Sequence, residues 1–301
     1  MEKLTHSRIS TRQKCPQKEV YTYVERLRSL EPKWPLIVGA AFHLGMETLN
    51  RGGDLEAAIE ASREPFAWES GDEEVMAAKE TYAVQVNVLI RQAATRFTPV
   101  NTEMVEKEFD LPILNPDTGH KSRSFRLGGK IDAMMEDDEG LWIVEYKTTG
   151  ATLEQYRQTY GLSHQITLYQ HAAAAQLLGR PIAGTLMRTI VKSRIKRKDG
   201  ESAGSYFGRL MAAYEAEPDK YIAEDRVCRN ADDIERFQRE LWMETKERLW
   251  QEKSGTVRRN TTACNEWGGC EFRSICLNVP GWEGMYRVSD RQHEELSSEA
   301  V

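Results

Sequence analysis

The chain has 301 residues, 40% of them hydrophobic and 29% charged, and its 41 Lys and Arg against 47 Asp and Glu leave a formal net charge of −6. These proportions suit a folded globular protein and exclude a collagen-like or wholly disordered chain. No run approaches the roughly 18 apolar residues that span a bilayer, and the mild negative charge argues against non-specific coating of nucleic acid while leaving room for a local basic groove.

In chain order, the first hundred residues read mostly as helix. Ser10 is placed as the cap of a helix through CPQKEVYTYVERLRSL, and Pro35 opens a second through LIVGAAFHLGMETLN that stops at Gly52-Gly53. Asp54 caps a short helix to Arg63, and a long one runs from about Asp72 to Phe97 with Tyr82, Val86, Leu89 and Ile90 on one face. The pattern then changes. MVEKEFDLPI alternates as a strand does, NPDTGHKS is turn chemistry, and SFRLGGKIDAMME and LWIVEYKTT are two strands closed by the acidic turn DDEG. SHQITLYQHAAAAQLLG follows as a helix, with Ser163 as cap and Gly179 as stop, and IAGTLMRTIVKS as a further strand. KSRIKRKDGESAGS reads as a basic loop, and ADDIERFQRELWMETKERLWQE as an amphipathic helix with an aspartate cap. The sum is a mixed α/β core with helices before and after it. The expected division is a helical lobe over 1–100, a core over 101–215, a C-terminal helix and cysteine segment over 216–280, and a flexible tail over 281–301.

There are five cysteines: Cys15, Cys228, Cys264, Cys270 and Cys276. The odd count, with an opening stretch that has no apolar run, points away from a secretory signal and a disulfide framework and toward a reducing cytoplasm. Three of the five sit within thirteen residues, CNEWGGCEFRSIC, which reads as metal or cluster ligation.

The informative stretch is GGKIDAMMEDDEGLWIVEYKTT. Glu145 and Lys147 are two apart and share one face of their strand. In a hairpin closed by DDEG, Asp132 approaches that face from the neighbouring strand. Two carboxylates and a backbone carbonyl would suit a hard divalent cation that keeps waters of its own, and such an ion lowers the pKa of its water and neutralises an attacked phosphate. Lys147 would hold or activate that water. The plainer alternative is a solvent-facing hairpin with an ordinary Glu–Lys pair. Against it stands the apolar run that Glu145 and Lys147 interrupt, because charges inside such a strand need a reason. Gly128-Gly129 mark a close backbone approach just before the aspartate.

The arrangement GGKIDA…WIVEYKTT resembles the PD-(D/E)xK nuclease superfamily, in particular its RecB-type exonuclease group. His43 in GAAFHLGMETL, Gln165 and Tyr169 in HQITLYQHA, Cys15 in RQKCPQKEV and the cysteines of CEFRSIC stand in the order of that group's motifs, over roughly residues 7–280. The cysteines are also similar to those of the iron–sulfur nuclease module of AddB and of CRISPR-associated adaptation nucleases. Ile131-Asp132 replaces the name-giving Pro-Asp, as is usual in the RecB group, and the x5 spacing before Cys270 departs from the shorter AddB gap.

The resemblance implies a restriction-endonuclease-like core that cleaves DNA with Mg²⁺ or Mn²⁺. Asp132, Glu145, Tyr146 and His43 would hold the metal, with Glu47 a candidate to orient His43. Lys147 would act on the water, and Gln165 and Tyr169 would support the substrate. Cys15, Cys264, Cys270 and Cys276 would carry a 4Fe–4S cluster, with structural zinc as the alternative; Cys228 is read as a packed thiol. Arg188, Lys192, Arg194, Lys196, Arg197 and Lys198, six cations in eleven residues, would contact DNA phosphates. Exonuclease action on single-stranded ends in recombination, repair or processing is the activity implied. The chain carries no G-x4-GK-[ST] motor motif, so processive degradation would need a helicase or recombination partner, or a homo-oligomer. The alternatives are a non-cleaving DNA-binding or assembly subunit of the same fold and a site-specific endonuclease.

Overall fold

In a computed structural model, residues 1–98, 100, 104–176 and 181–296 are described, the side chains of 267 and 268 excepted. Backbone contacts divide the chain into two compact units, one of residues 1–32, 108–130 and 230–301, the other of 33–107 and 131–229. The long strand β4, Lys121–Asp137, belongs to both.

In the second unit, β4 is followed by β5 (Gly140–Thr149), β6 (Ile182–Val191) and β7 (Ile222–Val227), which lie in that order in the sheet. β4 and β5 form the expected antiparallel hairpin, with Ala133 opposite Val144 and Asp137 opposite Gly140. β5 and β6 are parallel, Lys147 opposite Thr189, and β6 and β7 antiparallel. The sheet is therefore mixed and flanked by helices, as the sequence leads one to expect. A parallel pair needs a crossover between its strands, and the chain supplies one with the helices Leu153–Arg157 and His164–Gln176. The expected stop at Gly179 lies outside the described residues.

The two faces of β5 are both covered, which is why its first half, Leu141–Val144, is a continuous apolar run before Glu145 and Lys147. Trp142, Val144 and Tyr146 join a core with Phe42, Leu89, Ile90 and Tyr214, from the helices Trp34–Asn50, Glu73–Arg96 and Ala203–Ala216. The alternate face meets the crossover helices, with Tyr160 and Ile166 against Met187 of β6. Asp54 caps its helix as expected, accepting from Ala57 N, and Asp72, at the expected start of the long helix, caps it by accepting from Glu74 and Val75 N.

The first unit holds β1 (Glu2–Leu4), which pairs in parallel with Phe125–Leu127 of β4, and β3 (Val105–Leu114), which enters this unit at Glu108 and also pairs with β4. Ser10 lies inside the helix His6–Lys14, which is capped by Thr5. The expected continuation of that helix to Leu30 breaks after Val24, and Leu27–Ser29 becomes strand β2. The tail is held, not loose: β8, Tyr286–Val288, pairs antiparallel with β2, and His293 and Leu296 are buried. Residues 297–301 lie outside the described set. The long C-terminal helix runs Ala231–Ser254, and its cap is Asn230, not an aspartate, in a reciprocal capping box with Asp233. The helix Ala203–Ala216 and strand β7 were not foreseen.

The candidate active site

The hairpin and the crossover helix build one cluster in the second unit. Continuing the β4–β5 register one residue past the Ala133–Val144 pair sets Asp132 across from Glu145, on the same side of the sheet. Lys147 follows two residues on, and its Nζ lies 2.5 Å from Glu145 Oε1. Asp132 Oδ2 accepts a hydrogen bond from Tyr146 N at 3.0 Å and stands 3.3 Å from His43 Nδ1, which the helix Trp34–Asn50 delivers. From the crossover helix, Gln165 Nε2 donates to Glu145 Oε1 at 2.7 Å and reaches the Tyr169 hydroxyl at 3.3 Å.

Burial decides the charges. The Glu145 side chain is only 2% exposed. Burial, then the neighbouring Asp132 carboxylate, pushes its pKa up to about 7, against the pull of Lys147 and His43. Burial alone would lower Lys147, but Glu145 and Asp132 outweigh it and hold the ammonium above its ordinary value. His43 is likewise raised, since Asp132 outweighs the burial of its ring. Asp132 is lowered in spite of burial, by His43, Lys147 and the Tyr146 N–H.

The donor set fits a divalent cation on one observation. Glu145 Oε1 takes both Lys147 and Gln165, while the other oxygen, Oε2, is buried with no hydrogen-bond partner. A buried carboxylate oxygen left unpaired beside a second carboxylate is costly, and a hard cation with carboxylate ligands removes that cost. Among the described residues no set of three or more His, Cys, Asp or Glu side chains already stands in ligating geometry.

Other expected residues are placed differently. Glu47 pairs with Arg51 at 2.9 Å, so the partner of His43 is Asp132. Tyr169 is buried, and its hydroxyl accepts from Gln165 Nε2, so it lies beside the cluster through that side chain. Arg188 is fully enclosed: it bonds Glu224, the Tyr146 hydroxyl and Thr98, and lies over the Phe97 ring, so it is a core residue and not a surface cation. Arg197 is tied to Glu80 and to the Glu201 carbonyl. Lys192, Arg194, Lys196 and Lys198 stay on the surface side of the same segment. Tyr156 was missed; its phenol is close enough to Lys147 and Glu145 to feel both charges. It sits on a five-residue helix too short for periodicity to reveal, although Thr152 and Gln155 form its capping box.

In the first unit the cysteines come partly together. Asn260 N donates to Cys15 Sγ at 3.3 Å across 245 residues, and Cys270 N donates to the Cys264 carbonyl at 2.9 Å. Cys276 Sγ faces the Tyr21 hydroxyl at 3.9 Å. All four are free thiols of intermediate exposure, and among the described residues they form no ligating set of three or more. Cys228 is exposed and directs its thiol at the Ala183 carbonyl, so it is not the packed thiol expected.

Comparison with curated proteins finds no match. Among solved structures, one named "Putative exonuclease", from Eubacterium rectale, aligns at a TM-score of 0.49 and 12% identity, over 92% of this chain and 83% of that one. The sequence model of the PD-(D/E)XK nuclease superfamily matches residues 3–277, a span that holds the whole cluster from His43 to Tyr169, and the chain therefore belongs to the PD-(D/E)XK nuclease superfamily.

Proposed function

We propose that the protein is a metal-dependent deoxyribonuclease that hydrolyses phosphodiester bonds, with exonuclease action on single-stranded ends as its favoured mode. The observation that carries this reading is the buried Glu145 carboxylate, with one oxygen gripped by Lys147 and Gln165 and the other unpartnered beside Asp132. Asp132, Glu145, His43 and the Tyr146 carbonyl would hold Mg²⁺ or Mn²⁺, which supplies charge neutralisation and an acidified water when bound. Asp132 accepts at His43 Nδ1 and so fixes the imidazole with its other nitrogen available as a ligand. Gln165 keeps Glu145 Oε1 in place, so that Oε2 stays aimed into the site. Lys147, held against Glu145 Oε1, would position or activate the attacking water and stabilise the developing phosphorane charge.

The finer expectation of a 4Fe–4S cluster on Cys15, Cys264, Cys270 and Cys276 rests on the approach of Cys15 to the Asn260 segment and on the motif order alone. Anaerobic purification and an optical spectrum test it. Brown colour with visible absorption supports the cluster; a colourless protein removes it and leaves the hydrolase reading in place.

The hydrolase reading is tested with Mn²⁺ on end-labelled single strands and on a closed circle. Loss of end label with the circle left whole supports an exonuclease, discrete fragments of the circle mark an endonuclease, and no cleavage of either marks a binding subunit. Lys147→Ala should lower cleavage by about 10²–10⁴-fold while DNA is still bound. Unchanged cleavage by that variant overturns the mechanism.

A further inference from the structure

The second unit contains a cavity of ≈ 1160 Å³, set apart from the hydrolytic cluster. Its wall is formed by the start of the helix Trp34–Asn50, the face of Glu73–Arg96 that carries Tyr82 and Gln85, and the segment 192–202 that follows β6, with Gly150 and Tyr206 closing it. Its volume exceeds the upper end, about 1,000 Å³, of pockets built for one small ligand.

The charge of its wall is one-sided. Lys192, Arg194, Lys196 and Lys198 line it, and among the described residues none of the four has a carboxylate within ion-pair distance. Two of the acids that also line it are already engaged, Glu80 by Arg197 and Glu201 by Arg209, so their charge is cancelled locally. Asp199 remains against four cations. Such a wall fits a polyanion.

A second, independent feature is aromatic. Tyr82 lines the cavity, and the Trp34 ring stacks behind it at 4.9 Å and 20°, with Trp68 next in the row at 5.9 Å. A rigid ring stack beside a basic wall is the chemistry that takes unpaired bases, whose faces are free, and not paired ones, whose faces are used within the duplex.

The position relative to the hydrolytic cluster follows from the same elements. The helix Trp34–Asn50 presents Val38 to the cavity and His43 to Asp132, five residues or about 7.5 Å apart along its axis. On the sheet, Gly150 lines the cavity three residues beyond Lys147, about 10 Å of strand, and Lys192 N bonds the Thr149 carbonyl at 2.7 Å. The cavity and the cluster thus share the helix Trp34–Asn50 and the end of β5.

We propose that this cavity is a cleft for unpaired nucleotides of single-stranded DNA, with Tyr82 as a base-stacking platform and Lys192, Arg194, Lys196 and Lys198 as phosphate contacts, and that it sets the strand preference of the enzyme. The proposal rests on the nuclease reading for its biological use, but binding is measured separately from cleavage. The full-length protein in EDTA is titrated against a short fluorescent oligothymidine and against a duplex of the same length, by anisotropy. Single strands should bind tighter than duplex. Tyr82→Ala should weaken single-strand binding about tenfold, whereas Tyr82→Phe, which keeps the ring, should retain it. Lys192→Ala should reduce the slope of log affinity against log salt by about 0.7, the loss of one phosphate contact, an effect that a merely structural role would not produce. Duplex preference, or wild-type affinity and salt slope in both Tyr82→Ala and Lys192→Ala, overturns the cleft. If those variants are wild-type in binding while the protein cleaves with Mn²⁺, the cleft fails and the nuclease reading stands. If they are impaired but no cleavage occurs, the cleft stands and the hydrolytic reading fails.

Discussion

At the scale of single residues, the site works by giving each oxygen of Glu145 a different neighbour. Lys147 and Gln165 hold Oε1, and Oε2 is left for a cation. Gln165 makes a hydrogen bond to a charged acceptor, a class of contact that contributes roughly 1.5–3 kcal/mol. Gln165→Ala should therefore slow cleavage by about tenfold or more, with a smaller effect on DNA affinity, and the comparison of kcat with binding checks this. Arg188 makes a contrasting case. Its charge is fully buried and satisfied by Glu224, Tyr146 and Thr98, and the Tyr146 hydroxyl in turn donates to Asn50. Removing one partner from such a buried network costs about 3–5 kcal/mol. Arg188→Ala should lower the denaturation midpoint in urea by that equivalent. Arg188→Lys should recover little, because an ammonium cannot make the guanidinium's divergent bonds. A loss confined to DNA binding, with stability intact, would return Arg188 to the surface role first assigned to it.

At the scale of elements, the first unit ties its N-terminal helix to its long C-terminal helix through one carboxylate. Glu19 is buried and accepts from Arg8 Nε at 2.6 Å, from Arg12 at 3.3 Å and from Arg248 of the helix Ala231–Ser254. Burial by itself would raise the Glu19 pKa, yet Arg248 and Arg8 outweigh it and leave it below the ordinary value of 4.5. Its pKa being lower folded than unfolded, Glu19 adds stability that is complete above the unfolded value and is lost as the pH falls through the folded one. The wild type should lose stability in acid below about pH 4.5, in the range set by that downward shift. Glu19→Gln should be less stable than wild type at neutral pH and should show a flatter acid limb, read as urea midpoints against pH. Equal acid limbs would mean that other carboxylates carry the transition. Strand β4 shows a second element-scale device. At Gly129 an added Cβ would run into the Phe109 ring of β3, so the bare backbone is what lets the two strands' side chains close up.

At the scale of the whole molecule, both compact units are discontinuous in sequence, and the first is assembled from the two chain ends and a central segment. The C-terminal stretch is part of that assembly through β8 on β2 and the buried Leu296. A chain ending at residue 280 should therefore melt several degrees lower than the full chain by calorimetry, whereas a loose tail would leave the midpoint unchanged. Much of the site was legible beforehand for a local reason. Asp132, Glu145 and Lys147 lie within one hairpin, so strand alternation and a short acidic turn suffice to set them on one face, and Gln165 and Tyr169 share a helix face by their spacing of four. The capped helices and the apolar run of β5 were readable in the same way. What depended on distant packing was not. The alternation of β6 places Arg188 inside the core, yet its composition resembles a surface basic run, and only the approach of Glu224, Tyr146 and Thr98 makes that burial possible. Strand β2 abandons a helical pattern because β8, more than 250 residues away, offers it a partner. The mixed α/β core and the acidic hairpin are legible in the order of residues, since both follow from periodicities of a few residues. The tertiary structure alone decided which cations are buried, which carboxylate oxygen is left unpaired and which rings border the basic cavity, because each of these depends on side chains far apart in the chain that only folding brings within a few ångströms.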